Sequence, residues 1–223
     1  MSAYAKVSSG HIRTTIPKTC YSLIQEQKTE EMARKKEFDR EQVLSLAMNT
    51  FWRYGYEGTS MQTLVASMGI NRASLYDTFG DKRSLFLAAI ACYERSVMKD
   101  MLKSLQAPNA GKQTIIDLFY GLVAKIVSER DYFGCLITNT AVECPEDSET
   151  KASIDRNLRQ VTNAFKQALI KARVKGEIAG DRDIDSMANY LTSNIQGLRV
   201  MSKVNRDPKT LNSVVRIILS TLD

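Results

Sequence analysis

Apolar side chains recur every three or four residues along most of this chain, which is the spacing of amphipathic α-helices. The first such stripe predicts a helix over residues 39–54, with Asp39 as its N-cap and Gln42 as the capping-box partner. The inward positions of this helix are Val43, Leu44, Ala47, Met48 and Phe51. A helix with one apolar face must pack against other elements, so we expect a helical core around it.

A shorter stripe predicts a second helix over residues 59–68. Thr59 is its expected N-cap, Gln62 the capping-box partner, and Gly69 the residue that ends it. Its apolar positions are Met61, Leu64, Val65 and Met68, spaced as i, i+3, i+4 and i+7.

A third helix follows directly, capped by Asn71 and with Leu75 and Phe79 facing inward. Gly80 ends this helix and Asp81 caps the next one. Two short helices around a glycine turn, followed by another capped helix, have the layout of a DNA-reading helix-turn-helix. The residues that this arrangement turns outward are Arg72, Ala73, Ser74, Tyr76 and Asp77.

The run FWRYGYEGTSMQTLVASMGINRASLYDTFGDKRSLF closely resembles the DNA-binding domain of TetR-family transcriptional repressors. The resemblance covers about residues 39–90 and depends on features in a fixed order: the aromatic-Gly-Tyr of 54–56, Thr59-Ser60, Gly69, Leu75-Tyr76, Phe79, Lys82, Leu85 and Phe86. It implies that Thr59 and Ser60 contact a phosphate and that Lys82, at a helix N-terminus, binds the DNA backbone. It further implies that four residues face the major groove: Arg72, Ala73, Ser74 and Tyr76.

Two positions in the reading helix stay open at this stage. Asp77 departs from the family pattern, in which a basic or neutral polar residue often follows the tyrosine; it could repel phosphate, accept from a cytosine amino group, or hold Arg72 in place. Arg72 could read a guanine or contact a phosphate.

Beyond Asp81 the apolar spacing predicts a long helix to about Leu105. Further helices are expected over 112–129, 135–143, 148–174, 183–203 and 208–221. The last two carry apolar stripes formed by Met187, Leu191, Ile195 and Leu198, and by Leu211, Val214, Val215 and Ile218. The resemblance implies that this closing pair forms a four-helix interface in a homodimer; the alternative is a purely internal core.

The resemblance also implies that the C-terminal domain binds a small-molecule effector. Candidate contacts combine aromatic surface with hydrogen-bonding groups: Phe119, Tyr120, Asn139, Tyr190 and Asn194, together with Cys135. Cys135 begins a short helix, where a thiol can have a lowered pKa, and so it is a candidate sensor of electrophiles or oxidants, with Cys144 as a partner. The alternative for Cys135 is a buried small apolar residue.

These patterns predict an all-α protein with three parts. Residues 1–36 form a mobile N-terminal extension, residues 37–83 the helix-turn-helix DNA-binding domain, and residues 84–223 a helical bundle for ligand binding and dimerisation. The basic cluster Arg34, Lys35 and Lys36 is a candidate minor-groove arm, with a solubilising tail as the alternative.

Composition agrees with a DNA-binding regulator. The 223 residues are 43% apolar and 25% charged, with a net charge of +6 and a pI near 9.1, which favours polyanionic partners. The local placement of Arg72, Lys82 and Arg83 matters more than the total, because counterion release depends on cations that reach phosphates together. Since neither a membrane span nor a signal peptide is evident, we expect a cytoplasmic protein that is associated with the nucleoid when bound to DNA, with no membrane partner.

Enzyme chemistry finds little support in the sequence. The single histidine, His11, lies in the extension, and neither a phosphate-binding loop nor a dinucleotide fingerprint is present. The four cysteines lack CxxC spacing, so no metal site, disulfide framework or cofactor is expected. The carboxylates Glu143, Glu146 and Asp147 fit a solvated loop and helix start. The sequence therefore predicts a ligand-responsive repressor of a palindromic operator, in which a ligand tilts the 81–105 helix; the alternative is a helical adaptor that no longer binds DNA.

Overall fold

Helices alone make up the regular structure of residues 38–143 and 147–223, which are the residues described by this computed structural model. The first three form the reading head: α1 (Arg40–Tyr54), α2 (Met61–Met68) and α3 (Arg72–Phe79). The bundle consists of α4 (Lys82–Ser96), α5 (Lys99–Gln106), α6 (Lys112–Ser128), α7 (Leu136–Glu143), α8 (Ser148–Val174), α9 (Ile184–Met201) and α10 (Pro208–Ser220). The predicted all-α fold is confirmed.

The core of the reading head is built from the inward faces that the spacing predicts. Helix α1 packs along α4 and against α2, while α3 packs between α2 and α4. Leu64, Leu75 and Phe51 are completely buried at these contacts. Burying three large apolar side chains in so small a unit fixes the angle between α2 and α3, and therefore the direction in which α3 presents its outer face.

The turn before α2 differs from the prediction by one residue. Ser60, not Thr59, is the N-cap, and its hydroxyl accepts from the backbone N–H of Thr63 at 3.0 Å. Thr59 is fully buried and donates its own hydroxyl to the carbonyl of Gly55 at 2.6 Å. Serine and threonine are both good N-caps. Here Ser60 is the cap because the Thr59 hydroxyl is already hydrogen-bonded to the carbonyl of Gly55.

The predicted single helix over 81–105 is two helices. The backbone N–H groups of Val97 and Met98 both donate to the carbonyl of Tyr93, at 2.8 and 3.3 Å, and α5 starts at Lys99. Met98 is buried there, and its sulfur accepts a hydrogen bond from the side-chain amide of Asn157 in α8 at 3.3 Å. Neither glycine nor proline marks this break in the sequence; the feature that accompanies it is the tertiary contact with Asn157 of α8.

The closing pair of helices is also packed differently from the prediction. Six of the eight residues assigned to a dimer interface are at most 2% exposed within the chain itself: Leu191, Ile195, Leu198, Leu211, Val215 and Ile218. They pack against α8 and α6, so they have no surface left to offer a second copy. Met187 and Val214 are half-buried. The spacing identified an apolar face correctly, but that face belongs to the core of the bundle.

Several predictions concern residues outside the described part of the chain: the extension over 1–36 with the Arg34–Lys36 cluster, and Cys144. Within the described residues, no helix is long and apolar enough to cross a bilayer. No group of three or more His, Cys, Asp or Glu side chains there has the arrangement of a metal site.

Candidate functional site

The outer face of α3 is exposed and mostly polar. Arg72, Ala73 and Asp77 are exposed, Tyr76 is 42% exposed, and Ser74 is half-buried. The Arg72 guanidinium donates to the Tyr76 hydroxyl at 3.4 Å and lies 5.6 Å from the centre of its ring. The two side chains therefore hold each other in place on the surface, as a pair of hydrogen-bonding groups directed away from the core.

Two helix N-termini flank this face. Asn71 caps α3 by accepting from the backbone N–H of Ser74 at 2.8 Å, and Asp81 caps α4 by accepting from Ser84 at 2.7 Å. Hydrogen bonds from the backbone N–H and the side chain of Ser84 lower the pKa of Asp81. Lys82 is the first residue of α4, and its ammonium lies 4.3 Å from the centre of the Tyr56 ring. A lysine held at a helix N-terminus has the charge and the neighbouring N–H dipoles that suit a phosphate.

Thr59 and Arg83, two residues that the sequence placed near phosphates, are used otherwise. The buried Thr59 has no exposed surface for a phosphate, whereas Ser60 is exposed. Arg83 donates to Asp147 and to Glu149, each at 2.7 Å. The hydrogen bond from Arg83 lowers the pKa of Asp147 to about 2. Arg83 therefore connects the start of α4 to the start of α8.

A second connection joins the reading head to the end of α7. The Glu143 carboxylate accepts the backbone N–H groups of Tyr56 and Glu57, at 2.9 and 2.8 Å. Gly55 makes this approach possible: its φ is +76°, and a Cβ there would lie 2.7 Å from the carboxylate oxygens. The sequence placed Glu143 and Asp147 in a solvated loop, but Glu143 holds the reading head against the bundle, and Asp147 pairs with Arg83 at the start of α4, directly after the reading head.

Replacing Glu143 with Ala is expected to release the loop between α1 and α2. The N–H groups of Tyr56 and Glu57 lose a charged acceptor, so their amide hydrogen exchange should speed up by about tenfold or more. Exchange measured by NMR or mass spectrometry checks this expectation.

Glu177 provides a matched control, because it accepts the backbone N–H of Lys112 at 2.7 Å, far along the chain from the reading head. Glu177→Ala should speed exchange at Lys112 and leave Tyr56 and Glu57 unchanged. Equal exchange at Tyr56 in the wild type and in Glu143→Ala would show that this carboxylate does not hold the loop.

An inner cavity of about 180 Å³ lies where α1, α4, α5, α6 and α9 meet. Its wall includes Trp52, Tyr93, Met101, Leu122, Tyr132 and Arg199. The Trp52 ring meets Tyr93 edge-on at 4.9 Å, so an α1 side chain of the reading head forms part of the wall. This cavity is therefore in direct contact with the reading head.

Cys135 lies directly behind this wall. Its sulfur is 3.6 Å from the Arg199 guanidinium, and the residue is 1% exposed. Burial raises the pKa of the Cys135 thiol, but the Arg199 charge and hydrogen bonds involving Thr138 and Tyr93 outweigh burial, so the pKa lies below its usual value. Each of the two interpretations of Cys135 agrees with part of the structure. The residue is buried, as expected of a small apolar side chain, and its environment favours the thiolate, as expected of a sensor. Its role as a sensor stays a hypothesis.

The other predicted effector contacts do not converge on the cavity. Phe119 is fully buried in the core, 6.1 Å from Phe165, and Tyr120 is 39% exposed on the outside of α6. Asn139 donates to the carbonyl of Phe133 at 2.9 Å and accepts from Lys203 at 3.2 Å. Tyr190 and Asn194 line a shallow groove on the outside of α9 and α10. Arg199 was not among the residues predicted from the sequence to contact an effector. It follows Ile195 by four residues, on a helix face that is otherwise apolar. A charged residue on such a face is a sequence signal that indicates a buried polar site.

An outer strip of exposed and half-buried residues runs along α9 and α10. It consists of Tyr190, Asn194, Gly197 and Met201 on α9, with Val214 and Ile217 on α10. Ile217 is 69% exposed and Tyr190 38%. The α9 positions follow helical spacing one face away from the buried stripe, so the same helix carries a core face and a second, partly apolar face.

Comparison with known protein families supports this description. The family described as "Bacterial regulatory proteins, tetR family" matches residues 43–89, and "Tetracyclin repressor-like, C-terminal domain" matches residues 115–218. The HTH-type transcriptional regulator YezE of Bacillus subtilis is 39% identical, over 86% of this chain and 100% of its own length. The HTH-type transcriptional repressor ComR of Escherichia coli is 27% identical, over 85% of this chain and 90% of its own length.

Solved structures are similar over the same extent. A cysteine mutant of the TetR-family regulator CifR, complexed with 26-base-pair operator DNA, has a TM-score of 0.76 and 26% identity, covering 84% of this chain and 98% of that one. The reduced form of NemR from Escherichia coli has a TM-score of 0.73 at 17% identity, covering 80% and 94%, which is a likeness of fold.

Proposed function

This chain belongs to the tetR family of bacterial regulatory proteins, and we propose on that basis that it is a homodimeric repressor that binds a palindromic operator and is released by a small-molecule effector. The observation that carries the proposal is the exposed face of α3, with Arg72 and Tyr76 braced against each other beside Lys82 at the start of α4. CifR, at 26% identity, is complexed with operator DNA, and ComR is named a repressor.

Base reading falls to the first turns of α3. Arg72 is long enough to reach a base edge in the major groove. Its contact with Tyr76 already restricts the Arg72 side chain, so less conformational entropy is lost when it binds DNA. Ala73 is exposed and small, so it allows the helix to approach the bases closely. Ser74 and Asp77 complete the proposed set of groove-facing residues.

Phosphate binding falls to Ser60 and Lys82. Ser60 keeps its hydroxyl at the exposed N-terminus of α2, and Lys82 lies at the N-terminus of α4. These two helix starts flank α3, so they can contact the backbone on either side of the groove.

Dimerisation is assigned to the outer strip on α9 and α10. A palindrome presents two half-sites, and one reading head per chain can occupy both only if two chains associate. The outer strip is the surface of the closing helices that the bundle leaves uncovered, and Tyr190, Val214 and Ile217 give it apolar area.

Release by an effector requires that the ligand prefers the geometry that does not fit DNA. The inner cavity touches α1 through Trp52, Glu143 holds the loop before α2, and Arg83 ties the start of α4, directly after the reading head, to α8. A shift at the cavity can therefore reach the reading head through Trp52 and Glu143, and can reach the start of α4 through Arg83. Couplings of about 1–3 kcal/mol are the usual scale for such linkage.

Selection of bound sequences from a random duplex pool tests the proposal directly. Wild-type protein should enrich a palindrome, Tyr76→Ala should lower affinity for that palindrome by about tenfold, and Lys82→Ala should weaken binding evenly across sequences while reducing the salt slope by about one.

Tyr120→Ala is the matched control, because Tyr120 is 39% exposed, close to the 42% of Tyr76, and lies on α6 of the bundle. It should bind like the wild type. If no sequence is enriched at any salt concentration, the helical adaptor becomes the better interpretation of this chain.

A further inference from the structure

Arg199 is a half-buried cation that pairs with no carboxylate among the residues that the structure describes. Its guanidinium contacts two sulfur atoms, Cys135 Sγ at 3.6 Å and Met101 Sδ at 3.8 Å. Among residues 38–143 and 147–223, no Asp or Glu oxygen lies within ion-pair distance of it. When Cys135 is protonated, both sulfur atoms are weak acceptors, so most of the hydrogen-bonding capacity of this guanidinium stays unused. Burying a charge in this way is unfavourable unless another group compensates it.

Two further donors in the same wall make no hydrogen bond of ordinary geometry within the described residues. They are the buried Trp52 Nε1–H and the buried Tyr132 hydroxyl, whose only hydrogen-bonding contact there is a loose one with Ser202. Buried polar atoms are nearly always satisfied in proteins, so a pair of orphans beside an uncompensated cation is unusual. All three groups belong to residues that line the inner cavity.

The rest of the wall limits the charge and the size of an occupant. Lys125 pairs with Glu129 at 3.6 Å, so these two wall residues cancel and Arg199 supplies the remaining charge. Met101, Leu118 and Leu122 add apolar surface. A cavity of about 150 Å³ accommodates a single benzene ring, so a cavity of about 180 Å³ suits one ring or a short alkyl chain with a small polar group.

A groove between α5 and α6 leads to the same place. It shares Met101, Leu118 and Gly121 with the cavity, and Asp100 and Asp117 lie along it. Two carboxylates at this approach disfavour ligands with several negative charges.

We propose that the inner cavity binds a small monocarboxylate, with its carboxylate on the Arg199 guanidinium and its apolar body against Met101 and Leu122; small rotations of the Trp52 and Tyr132 side chains then bring their buried donors to the carboxylate. Arg199 then gains a charge-assisted partner, and both orphan donors gain an acceptor. This inference rests on the proposed function only for its effect on DNA; the binding itself is independent of it.

Trp52 makes the proposal directly measurable, because it is the sole tryptophan of the chain and lines the cavity. Benzoate and hexanoate are the probes, and benzamide and hexanamide are their neutral counterparts of nearly equal size. Titration of the full-length protein without DNA should give a saturable change in Trp52 fluorescence with the carboxylates, at least tenfold tighter than with the amides. If no carboxylate gives a saturable change, or if the amides bind equally well, the proposal fails.

Three variants locate the site. Arg199→Gln should weaken benzoate binding by about ten- to a hundredfold, and Tyr132→Phe by several-fold. Gly121→Leu should block the cavity while the chain still folds, because a Cβ at Gly121 meets no atom within 4 Å. Circular dichroism verifies the fold of each variant. Wild-type affinity in both Arg199→Gln and Gly121→Leu would overturn the proposal.

Matched controls separate the cavity from its surroundings. Arg159→Gln removes an exposed arginine that pairs with Asp155 on the surface of α8, and Tyr120→Phe removes an exposed hydroxyl of α6. Both should bind benzoate like the wild type.

The competing role for Arg199 is to stabilise a Cys135 thiolate. Iodoacetamide alkylation of Cys135 tests that role: if Arg199→Gln slows alkylation but leaves benzoate affinity unchanged, the cation serves the thiol and the proposal is wrong. Benzoate binding that leaves operator affinity unchanged would support the cavity assignment and contradict the proposed effector role, so the two can fail separately.

Discussion

Replacing Gly197 with Arg should convert the proposed dimer to a monomer and lower operator affinity by about a hundred- to ten-thousandfold. Gly197 lies in the outer strip between Asn194 and Met201, where a long charged side chain would separate two facing copies of α9. The loss is large because each monomer then binds one half-site without the gain from bivalent attachment. Sedimentation and operator titration of the same samples measure both effects.

The variant is expected to fold. A Cβ at Gly197 meets no atom within 4 Å, and a helix-interior glycine is about 0.5–1 kcal/mol less favourable than alanine, so the monomer loses no packing. Gly180→Arg is the control, because that glycine also has open space but lies outside the helices. A Gly197→Arg protein that remains dimeric with wild-type affinity would place the interface elsewhere.

Replacing Phe86 with Ala should lower the free energy of unfolding by about 3–5 kcal/mol. Phe86 is 2% exposed, and its ring contacts Phe51 of α1 edge-on at 4.9 Å and Tyr56 at 4.8 Å. The cavity left behind would also loosen Tyr56, over whose ring Lys82 lies. Urea denaturation followed by Trp52 fluorescence and circular dichroism measures the stability.

Phe119→Ala separates stability from function. Phe119 is fully buried on α6 and packs near Phe165 in the bundle, so it should cost a similar free energy of unfolding. At temperatures where both variants are folded, Phe86→Ala should bind operator about tenfold more weakly, whereas Phe119→Ala should bind like the wild type. Equal operator affinity in the two variants would show that the aromatic contacts around Tyr56 do not position the phosphate-binding residues.

The structure suggests why effector and operator can be coupled in this chain. Trp52 lines the cavity from α1, and α7, which starts beside Cys135, ends at Glu143 on the loop before α2. Arg83 ties the start of α4 to Asp147 and Glu149. A ligand that moves the cavity wall thus acts on both ends of the helix-turn-helix, and the break at Val97 and Met98 means that α4 does not move as part of one long rod.

The sequence by itself determined where most of the helices lie and which face of α3 points away from the core. Periodic spacing and local caps are short-range signals, which explains why the predicted bounds of 148–174 are those of α8, and why Asn71 and Asp81 cap the helices that they were expected to cap. Leu75 and Phe79 alone were enough to turn Arg72 and Tyr76 outward, because helix geometry relates these positions without reference to the rest of the chain.

Tertiary structure alone decided what each face meets. An apolar stripe on α9 indicates that this face of the helix is buried against another element. Only the position of α8 shows that the face is buried inside the bundle and not against a second copy of the chain. The break at 97–98, the use of Glu143 by the loop before α2, and the orphan donors around Arg199 all arise from side chains that are more than fifty residues apart in sequence. Such contacts produce no local spacing or cap in the sequence, so the inner cavity and its contacts with the reading head could be found only in the folded chain.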